Sequence, residues 1–161
     1  LLEQNTSFGH ITVERNGNSC ICGKKGCLEG YFSLNVLLDE YIEEIKKGRQ
    51  SVILEKVDYD LNSITFDHFC EAVKSGDILA NEILRKAAGY LSIGLGNLIC
   101  ILNPEIIVLG GTIFRKCPQL STYVENMFSG YCSSTVFSRG ELGENAVIIG
   151  AGTLVLEDYI D

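Results

Sequence analysis

Long apolar runs are absent from this sequence. The longest candidate, residues 87–102, is interrupted by three glycines and an asparagine, whereas a bilayer-spanning helix needs roughly 20 predominantly apolar residues. The first four residues (LLEQ) also lack the basic start and apolar core of a signal peptide. The sequence therefore predicts a cytoplasmic protein without a membrane partner.

Basic residues are few. Lys and Arg together number 13 against 21 Asp and Glu, which gives a net charge of −8, and the basic residues are scattered along the chain. Because phosphate neutralisation dominates affinity for duplex DNA, an acidic domain without a basic patch is a poor DNA-binding surface. We expect any DNA-binding element to lie outside this chain.

Apolar residues are plentiful by contrast. They make up 46% of the 161 residues, and the mean hydropathy is +0.17, which is ample material for one domain with a packed core. Three of the seven cysteines fall within eight residues, and the rest occur singly at Cys70, Cys100, Cys117 and Cys132. An odd count with one cluster predicts a metal site plus ordinary buried thiols in a reducing compartment.

Hydrophobic periodicity predicts an α/β layered domain. Helices are expected at residues 27–47, 65–74, 79–102 and 119–128, with a last helix after residue 152. Strands are expected at residues 8–14, 105–111, 134–137 and 146–149. The unbroken apolar run of 105–111 is typical of a buried parallel strand, and the weak periodicity of 49–63 predicts a loop.

Capping residues define several helix ends. Thr65 is placed to cap one helix, with Ile64 and Phe69 as its hydrophobic staple. Gly76-Asp77 ends that helix and caps the next, which Asn103-Pro104 then terminates. The glycines at 89, 94 and 96 predict that this long helix packs closely against a sheet.

The cysteine cluster has the spacing of a metal site. Cys20, Cys22 and Cys27 can converge because glycines lie between the last two, and His10 could supply a fourth ligand. A closed Cys3His set would hold a structural Zn²⁺. The alternative is three buried or redox-active thiols, with His10 a hydrogen-bonded core residue.

With these residues, the chain resembles the ROK family, which groups sugar kinases with transcriptional repressors. The resemblance runs through residues 9–10, 20–31, 75–80, 103–111 and 149–152. It implies an actin-like (ASKHA, ribonuclease-H-like) α/β fold of two lobes, of which residues 1–161 would form the carboxyl-terminal lobe. Within that lobe we expect a strand plus zinc-binding loop (1–30), a helical segment (31–103) and a strand/helix core (104–161).

The resemblance also implies ligand contacts. The histidine matching His10 both ligates zinc and faces a sugar, and the glutamate matching Glu29 hydrogen-bonds sugar hydroxyls. Gly110 and Gly111 match a glycine turn on the adenosine side of a nucleotide site. Without the resemblance, Glu29 would be an exposed carboxylate at a helix start, and the glycine pair a strand-exit turn. Leu109 replaces the aspartate that begins an actin-fold phosphate loop, so no such loop is expected here.

Two departures bear on function. The family's kinases place their phosphate loop and general-base aspartate upstream of the Gly-His segment, so this chain is expected to contain no catalytic residue and to lack the amino-terminal lobe. Ser7 also stands where a sugar-contacting glutamate is usual. A serine offers one short hydroxyl in place of a carboxylate, which puts sugar affinity or specificity in question.

Three functions follow from these features. The first is the sugar-binding and oligomerisation domain of a ROK transcriptional regulator, a homodimer or homotetramer with its winged-helix DNA-binding part in an amino-terminal region. The second is one lobe of an ATP- and Mg²⁺-dependent sugar kinase, such as a glucokinase or N-acetylhexosamine kinase. The third is a zinc-stabilised interaction module that no longer binds sugar.

Overall fold

The computed structural model describes residues 7–129, 135–146, 148–150 and 153. Five helices form its framework: α1 (Leu34–Lys46), α2 (Phe66–Lys74), α3 (Ile78–Leu102), α4 (Thr112–Lys116) and α5 (Gln119–Phe128). Two strands, β1 (Ile106–Leu109) and β2 (Val136–Arg139), form a sheet. The predicted α/β class is confirmed.

The predicted helix caps are confirmed. The Thr65 hydroxyl accepts a hydrogen bond from the His68 amide, and the His68 side chain in turn accepts one from the Thr65 amide. Asp77 caps α3 by accepting from the Ala80 amide. Asn103 ends α3 in the left-handed conformation, with φ of 42°. The first predicted helix is shorter than expected, because Ser33 caps it at Leu34 and residues 28–30 form a separate 3₁₀ turn.

Helix α3 is the central element, and α1, α2 and α5 all pack on it. The glycines of α3 were predicted to pack closely against a sheet, but the close contact lies elsewhere. A Cβ on Gly94 would come within 3.2–3.4 Å of Phe8, Leu28 and Ile11, which flank the cysteine cluster, while one on Gly89 would meet nothing within 4 Å. Helix α3 therefore supports the candidate site directly. Within the described residues, no helix has both the length and the apolar character to cross a bilayer.

The sheet consists of β1 and β2 in parallel, with Ile106 opposite Val136 and Leu109 opposite Arg139. The parallel direction is confirmed, but the expectation that this strand is buried is wrong. Ile106 and Val108 are more than half exposed, and only Leu109 is buried. Alternate residues of a strand point to the same face, so within the described residues the face of β1 that carries Ile106 and Val108 lacks a covering layer.

Two other strand predictions are wrong. Residues 8–10 form a 3₁₀ turn capped by Ser7, and the remainder of residues 8–14 contributes one antiparallel bridge, between Thr12 and Cys27. Residues 146 and 148–150 are helical, because an apolar run of this length fits a helix as well as a strand. The helix predicted after residue 152 lies outside the described residues except for Thr153, which is helical.

The prediction of ordinary buried thiols needs correction. Cys70 and Cys117 are joined by a disulfide, although 47 residues separate them in sequence. Cys100 is a free thiol but is exposed, and Cys132 lies outside the described residues. Spacing did not reveal the disulfide because the pairing depends on how α2 packs beside the end of α4.

Candidate functional site

A short hairpin carries the cysteine cluster. The Val13 amide donates to the Gly26 carbonyl at 2.8 Å, and the Cys20 amide donates to the Lys24 carbonyl at 2.8 Å. Antiparallel bridges pair Thr12 with Cys27 and Ser19 with Lys25. The chain therefore folds back on itself, and cysteines from both arms come together.

Glycine is required at one point of this hairpin. Gly26 has φ of 75°, and a Cβ there would lie 1.7 Å from the Glu14 carbonyl oxygen, which no rearrangement of a side chain would relieve. Gly23 also has positive φ, at 83°, but a Cβ there would meet nothing within 4 Å. Gly26 thus permits the close approach of the two arms, and Gly23 supplies only the turn conformation.

Tyr31 fastens the hairpin to the rest of the fold. Its hydroxyl accepts a hydrogen bond from the Asn18 amide at 2.7 Å, and its ring stacks on Tyr90 of α3 with centroids 4.1 Å apart. The Asn18 side chain also donates to the Gly30 carbonyl at 3.1 Å. The cluster is therefore held on a supported loop.

The four predicted metal ligands lie together. Donor atoms of His10, Cys20, Cys22 and Cys27 all lie within 4.8 Å of one another. Cys22 Sγ is 3.6 Å from Cys27 Sγ, and Cys20 Sγ is 3.5 Å from His10 Nδ1. Tetrahedral Zn²⁺ would separate two sulfurs by about 3.8 Å and sulfur from nitrogen by about 3.5 Å. The donor set fits such an ion.

The thiols differ in acidity. The Lys24 backbone amide stabilises the thiolate of Cys22 and lowers its pKa, whereas burial raises the pKa of Cys27 to about 11. Zinc binds the thiolate form. Without a cation, Cys27 would keep its proton in this buried position, so a metal ion is the partner that allows all three sulfurs to be charged together.

Glu29 lies beside this cluster. Its Oε2 is 3.4 Å from His10 Nδ1 and 3.9 Å from Cys20 Sγ, and the 28–30 turn that carries it directly follows Cys27. The Glu29 side chain is 44% exposed and that of His10 is 11% exposed. One carboxylate thus contacts the candidate metal ligands and still reaches solvent.

The exposed side of Glu29 faces a cleft of about 430 Å³. Ser7, Gly9 and Gly110 also line this cleft, and its apolar wall includes Phe8, Phe32 and Phe114. His10 is not among the lining residues, although the neighbouring Gly9 is. The structure therefore brings together two of the predicted ligand positions, Glu29 and Gly110, from segments 81 residues apart.

A second cleft, of about 260 Å³, contains both predicted glycines. Gly110 and Gly111 line it together with Arg115 and Arg139. The two arginines were not predicted from the sequence. Arg139 could have been identified, because it ends β2 beside Leu109, and ligands collect at the carboxyl ends of parallel strands. Arg115 gave no such signal, since it lies on a short helix of unremarkable composition.

The fold is that of the sugar kinases. A crystal structure of a ROK family glucokinase from Streptomyces griseus, in complex with glucose and AMPPNP, superposes with a TM-score of 0.80 at 26% identity. The match covers 91% of this chain and 50% of that one. The chain belongs to the ROK family, whose family model matches residues 4–158.

Curated relatives include both kinases and repressors. A glucokinase of Halalkalibacterium halodurans is 32% identical over 155 residues, which are 92% of this chain and 46% of that protein. A xylose repressor of Bacillus spizizenii is 28% identical over 163 residues, which are 96% of this chain and 37% of that protein. The chain thus spans less than half the length of these two relatives.

Proposed function

We propose that this chain is the carboxyl-terminal lobe of a two-lobed, actin-like ROK protein and that it binds a sugar in the cleft beside a structural zinc site. The position of Glu29 carries this proposal, because its carboxylate both contacts His10 and lines the cleft. An ionised carboxylate can accept hydrogen bonds from two neighbouring hydroxyls. The aromatic wall of the same cleft suits the apolar face of a sugar ring.

Zinc would hold the loop in place. With His10, Cys20, Cys22 and Cys27 as ligands the site is closed, so the ion would contribute to folding and would leave no position for an activated water. His10 has Nδ1 towards the cysteines, so ligation through this atom would fix the imidazole and leave Nε2 unligated. Because His10 does not line the cleft itself, its part in sugar binding would be to support Glu29, which accepts hydrogen bonds from the sugar hydroxyls.

Ser7 favours a regulator over a kinase. The Ser7 hydroxyl accepts a hydrogen bond from the Gly9 amide at 3.3 Å and so caps the 8–10 turn. It lines the cleft where the family resemblance places a second carboxylate. With fewer acceptors for its hydroxyls, a sugar would be held less rigidly for phosphoryl transfer. We therefore infer an effector-binding lobe that acts with a DNA-binding region elsewhere in the protein.

The kinase alternative rests on the second cleft. Gly110 and Gly111 present bare backbone beside Arg115 and Arg139, an arrangement that would accept the phosphates or the adenosine of ATP with Mg²⁺. The similarity to a glucokinase that was crystallised with glucose and AMPPNP supports this alternative. The catalytic base would then come from the other lobe.

Calorimetry on the full-length protein tests these proposals. Titration with a panel of hexoses, pentoses and N-acetylhexosamines, followed by an ATP-turnover assay, has three outcomes. Sugar binding without turnover supports the regulator, and sugar-dependent turnover supports the kinase. If the protein shows neither sugar binding nor turnover, the sugar-binding proposal is contradicted and the zinc-stabilised interaction module remains.

The Glu29→Gln variant tests the site itself. Removal of the charge should weaken sugar binding at least tenfold, because hydrogen bonds to a charged acceptor are the stronger kind. Glu55→Gln is the matched control, since Glu55 lies in a separate turn at residues 55–57, outside the cleft. Equal sugar affinity in the two variants would show that Glu29 does not contact the ligand.

The family resemblance also implies self-association. We propose that the full-length protein is a homodimer or homotetramer. Sedimentation equilibrium at micromolar concentration should find at least a dimer. A monomer throughout this range would contradict the proposal.

A further inference from the structure

Cys70 and Cys117 form a pair apart from the cysteine cluster. Cys70 lies in α2 and Cys117 directly follows α4, and both are buried in the core. Their Cα atoms are 5.4 Å apart, within the range that a disulfide requires. The bond therefore ties together two elements that are distant in sequence.

Helix α4 is linked to α2 at its carboxyl-terminal end. None of its five residues is buried, whereas Cys117 is fully buried. Lys116 forms an ion pair with Asp67 of α2 at 2.6 Å, but the Asp67 side chain is 71% exposed, and exposed ion pairs contribute little. Ile113 and Phe114 pack against the core only in part. The attachment of α4 to α2 therefore depends mainly on Cys117.

Helix α4 also shapes both clefts. Phe114 lines the cleft of Glu29 and the cleft of the glycine pair, and Arg115 lines the second of these. Cys117 is two residues from Arg115, so a shift of its sulfur would move both side chains. The disulfide is thus mechanically connected to the two candidate ligand sites.

We propose that the Cys70–Cys117 pair is a reversible oxidation site that sets the shape of both clefts by fixing α4 against α2. Its effect on ligand binding rests on the proposed function, whereas its effect on α4 does not. The sequence predicts a cytoplasmic protein, and in such a reducing compartment disulfides are usually transient or redox-sensing. The buried position of this pair means that exchange requires local opening, so it is slow.

The oxidant is a low-molecular-weight disulfide such as oxidised glutathione. One protein thiolate attacks it, forms a mixed disulfide and releases one glutathione thiolate. The second protein thiolate then attacks the protein sulfur of the mixed disulfide, forms the Cys70–Cys117 bond and releases the second glutathione. Two protein thiols are oxidised, one glutathione disulfide is reduced, and the two protons pass to the released thiolates.

Reduction should displace α4. Two unbonded sulfur atoms need roughly 1.5 Å more separation than a bonded pair, and the close-packed interior has no spare room for them. Because α2 is well buried and α4 is not, the movement falls on α4. The oxidised form is then the preorganised one and binds ligands more tightly.

The first experiment compares the two redox states of the full-length, zinc-loaded protein. After incubation with oxidised glutathione or with a reducing agent, free thiols are alkylated and peptides are mapped. We expect a linked Cys70–Cys117 peptide only after oxidation, and amide exchange over residues 112–117 at least tenfold faster after reduction. Alkylation of both thiols in the oxidised sample, or equal exchange in the two states, would overturn the proposal.

The second experiment removes the pair. Cys70→Ser should abolish the redox dependence of amide exchange, while Cys100→Ser, an exposed position outside the pair, should retain it. Zinc content measured in parallel excludes oxidation of the cysteine cluster as the cause. If Cys70→Ser fails to fold, peptide mapping of the unaltered protein still decides the question.

Ligand affinity provides the last readout. Glucose and AMPPNP, used as probes, should bind at least threefold more tightly to the oxidised form, with no difference between redox states in Cys70→Ser. Equal affinity in both states of the unaltered protein would contradict the effect on the clefts. Binding of neither probe in either state would count against the proposed function, and amide exchange would then decide the disulfide proposal alone.

Discussion

At the scale of single residues, the hairpin that carries the cysteine cluster depends on the absence of side-chain atoms at Gly26. The two arms of the hairpin approach so closely at Gly26 that a methyl group would overlap the Glu14 carbonyl. Three residues away, Gly23 has a similar backbone conformation with open space around it. This pair separates the effect of contact from the effect of backbone strain.

Gly26→Ala should destabilise the protein by at least about 3 kcal/mol, because both the clash and the positive φ oppose it. Gly23→Ala should lose only about 1 kcal/mol, the penalty of the left-handed conformation alone. Urea denaturation of both variants measures the difference. Equal destabilisation would show that the hairpin arms do not approach as closely as described.

Cys22→Ser should reduce bound zinc from about one ion per chain to nearly none and lower the melting temperature by about 5 °C or more, because metal binding and folding are coupled. Cys100→Ser is the control, since this thiol is exposed and lies outside the cluster. Elemental analysis and thermal melting provide the two readouts. Full zinc content in Cys22→Ser would remove this residue from the ligand set.

At the scale of elements, α3 organises the molecule because one side chain fixes both its start and the preceding loop. Asp77 is buried and accepts hydrogen bonds from the Ala80 amide, at the first turn of α3, and from the Val52 amide, each at 2.8 Å. It therefore ties the loop after α1 to α3.

Asp77→Ala should destabilise the fold by about 2–3 kcal/mol, because two backbone donors would lose their acceptor. Asp60→Ala provides a matched control. Asp60 also caps a turn but is exposed and accepts from one amide, that of Asn62 at 3.0 Å. Its replacement should therefore lower the free energy of unfolding by less than about 1 kcal/mol. Similar denaturation midpoints for the two variants would contradict the proposal that Asp77 connects the loop after α1 to α3.

At the scale of the whole molecule, net charge bears on which partners the chain can bind. The net charge of −8 opposes binding to a polyanion, and several of the described basic residues form ion pairs with carboxylates, as in Lys86–Glu40 and Arg49–Glu82. The lobe therefore presents little positive potential to DNA.

The 161-residue chain should not shift duplex DNA in a gel at micromolar concentration and about 150 mM salt, since no cluster of phosphate contacts is available. The full-length protein, which the regulator proposal expects to bind an operator fragment, provides the comparison. Retardation of DNA by this chain alone would contradict the proposal that DNA binding lies in another region of the protein.

Zinc affinity should fall as the pH falls. Burial raises the pKa of Cys27 to about 11, so at neutral pH the metal-free cluster holds a proton that zinc must displace. Each displaced proton weakens binding roughly tenfold for each unit decrease in pH. Competition with a chromophoric chelator at pH 7 and pH 8 measures this slope. Affinity that does not change with pH would mean that no thiol proton is released.

The features that the sequence determined by itself are local. Cys20, Cys22 and Cys27 lie within eight residues, so their convergence depends mainly on the turn glycines between them. The caps at Thr65 and Asp77 are likewise set by side chains within three residues of the amides they bind. Short-range geometry allows such segments few other conformations, so the pattern of residues is enough to predict them.

Other features were decided only by tertiary structure. An apolar run does not specify strand or helix, so residues 146 and 148–150 are helical against expectation. The contact of Glu29 with a cleft that Gly110 also lines, and the pairing of Cys70 with Cys117, join segments 81 and 47 residues apart. Which distant segments meet depends on how the helices pack around α3, and that packing is a property of the whole chain.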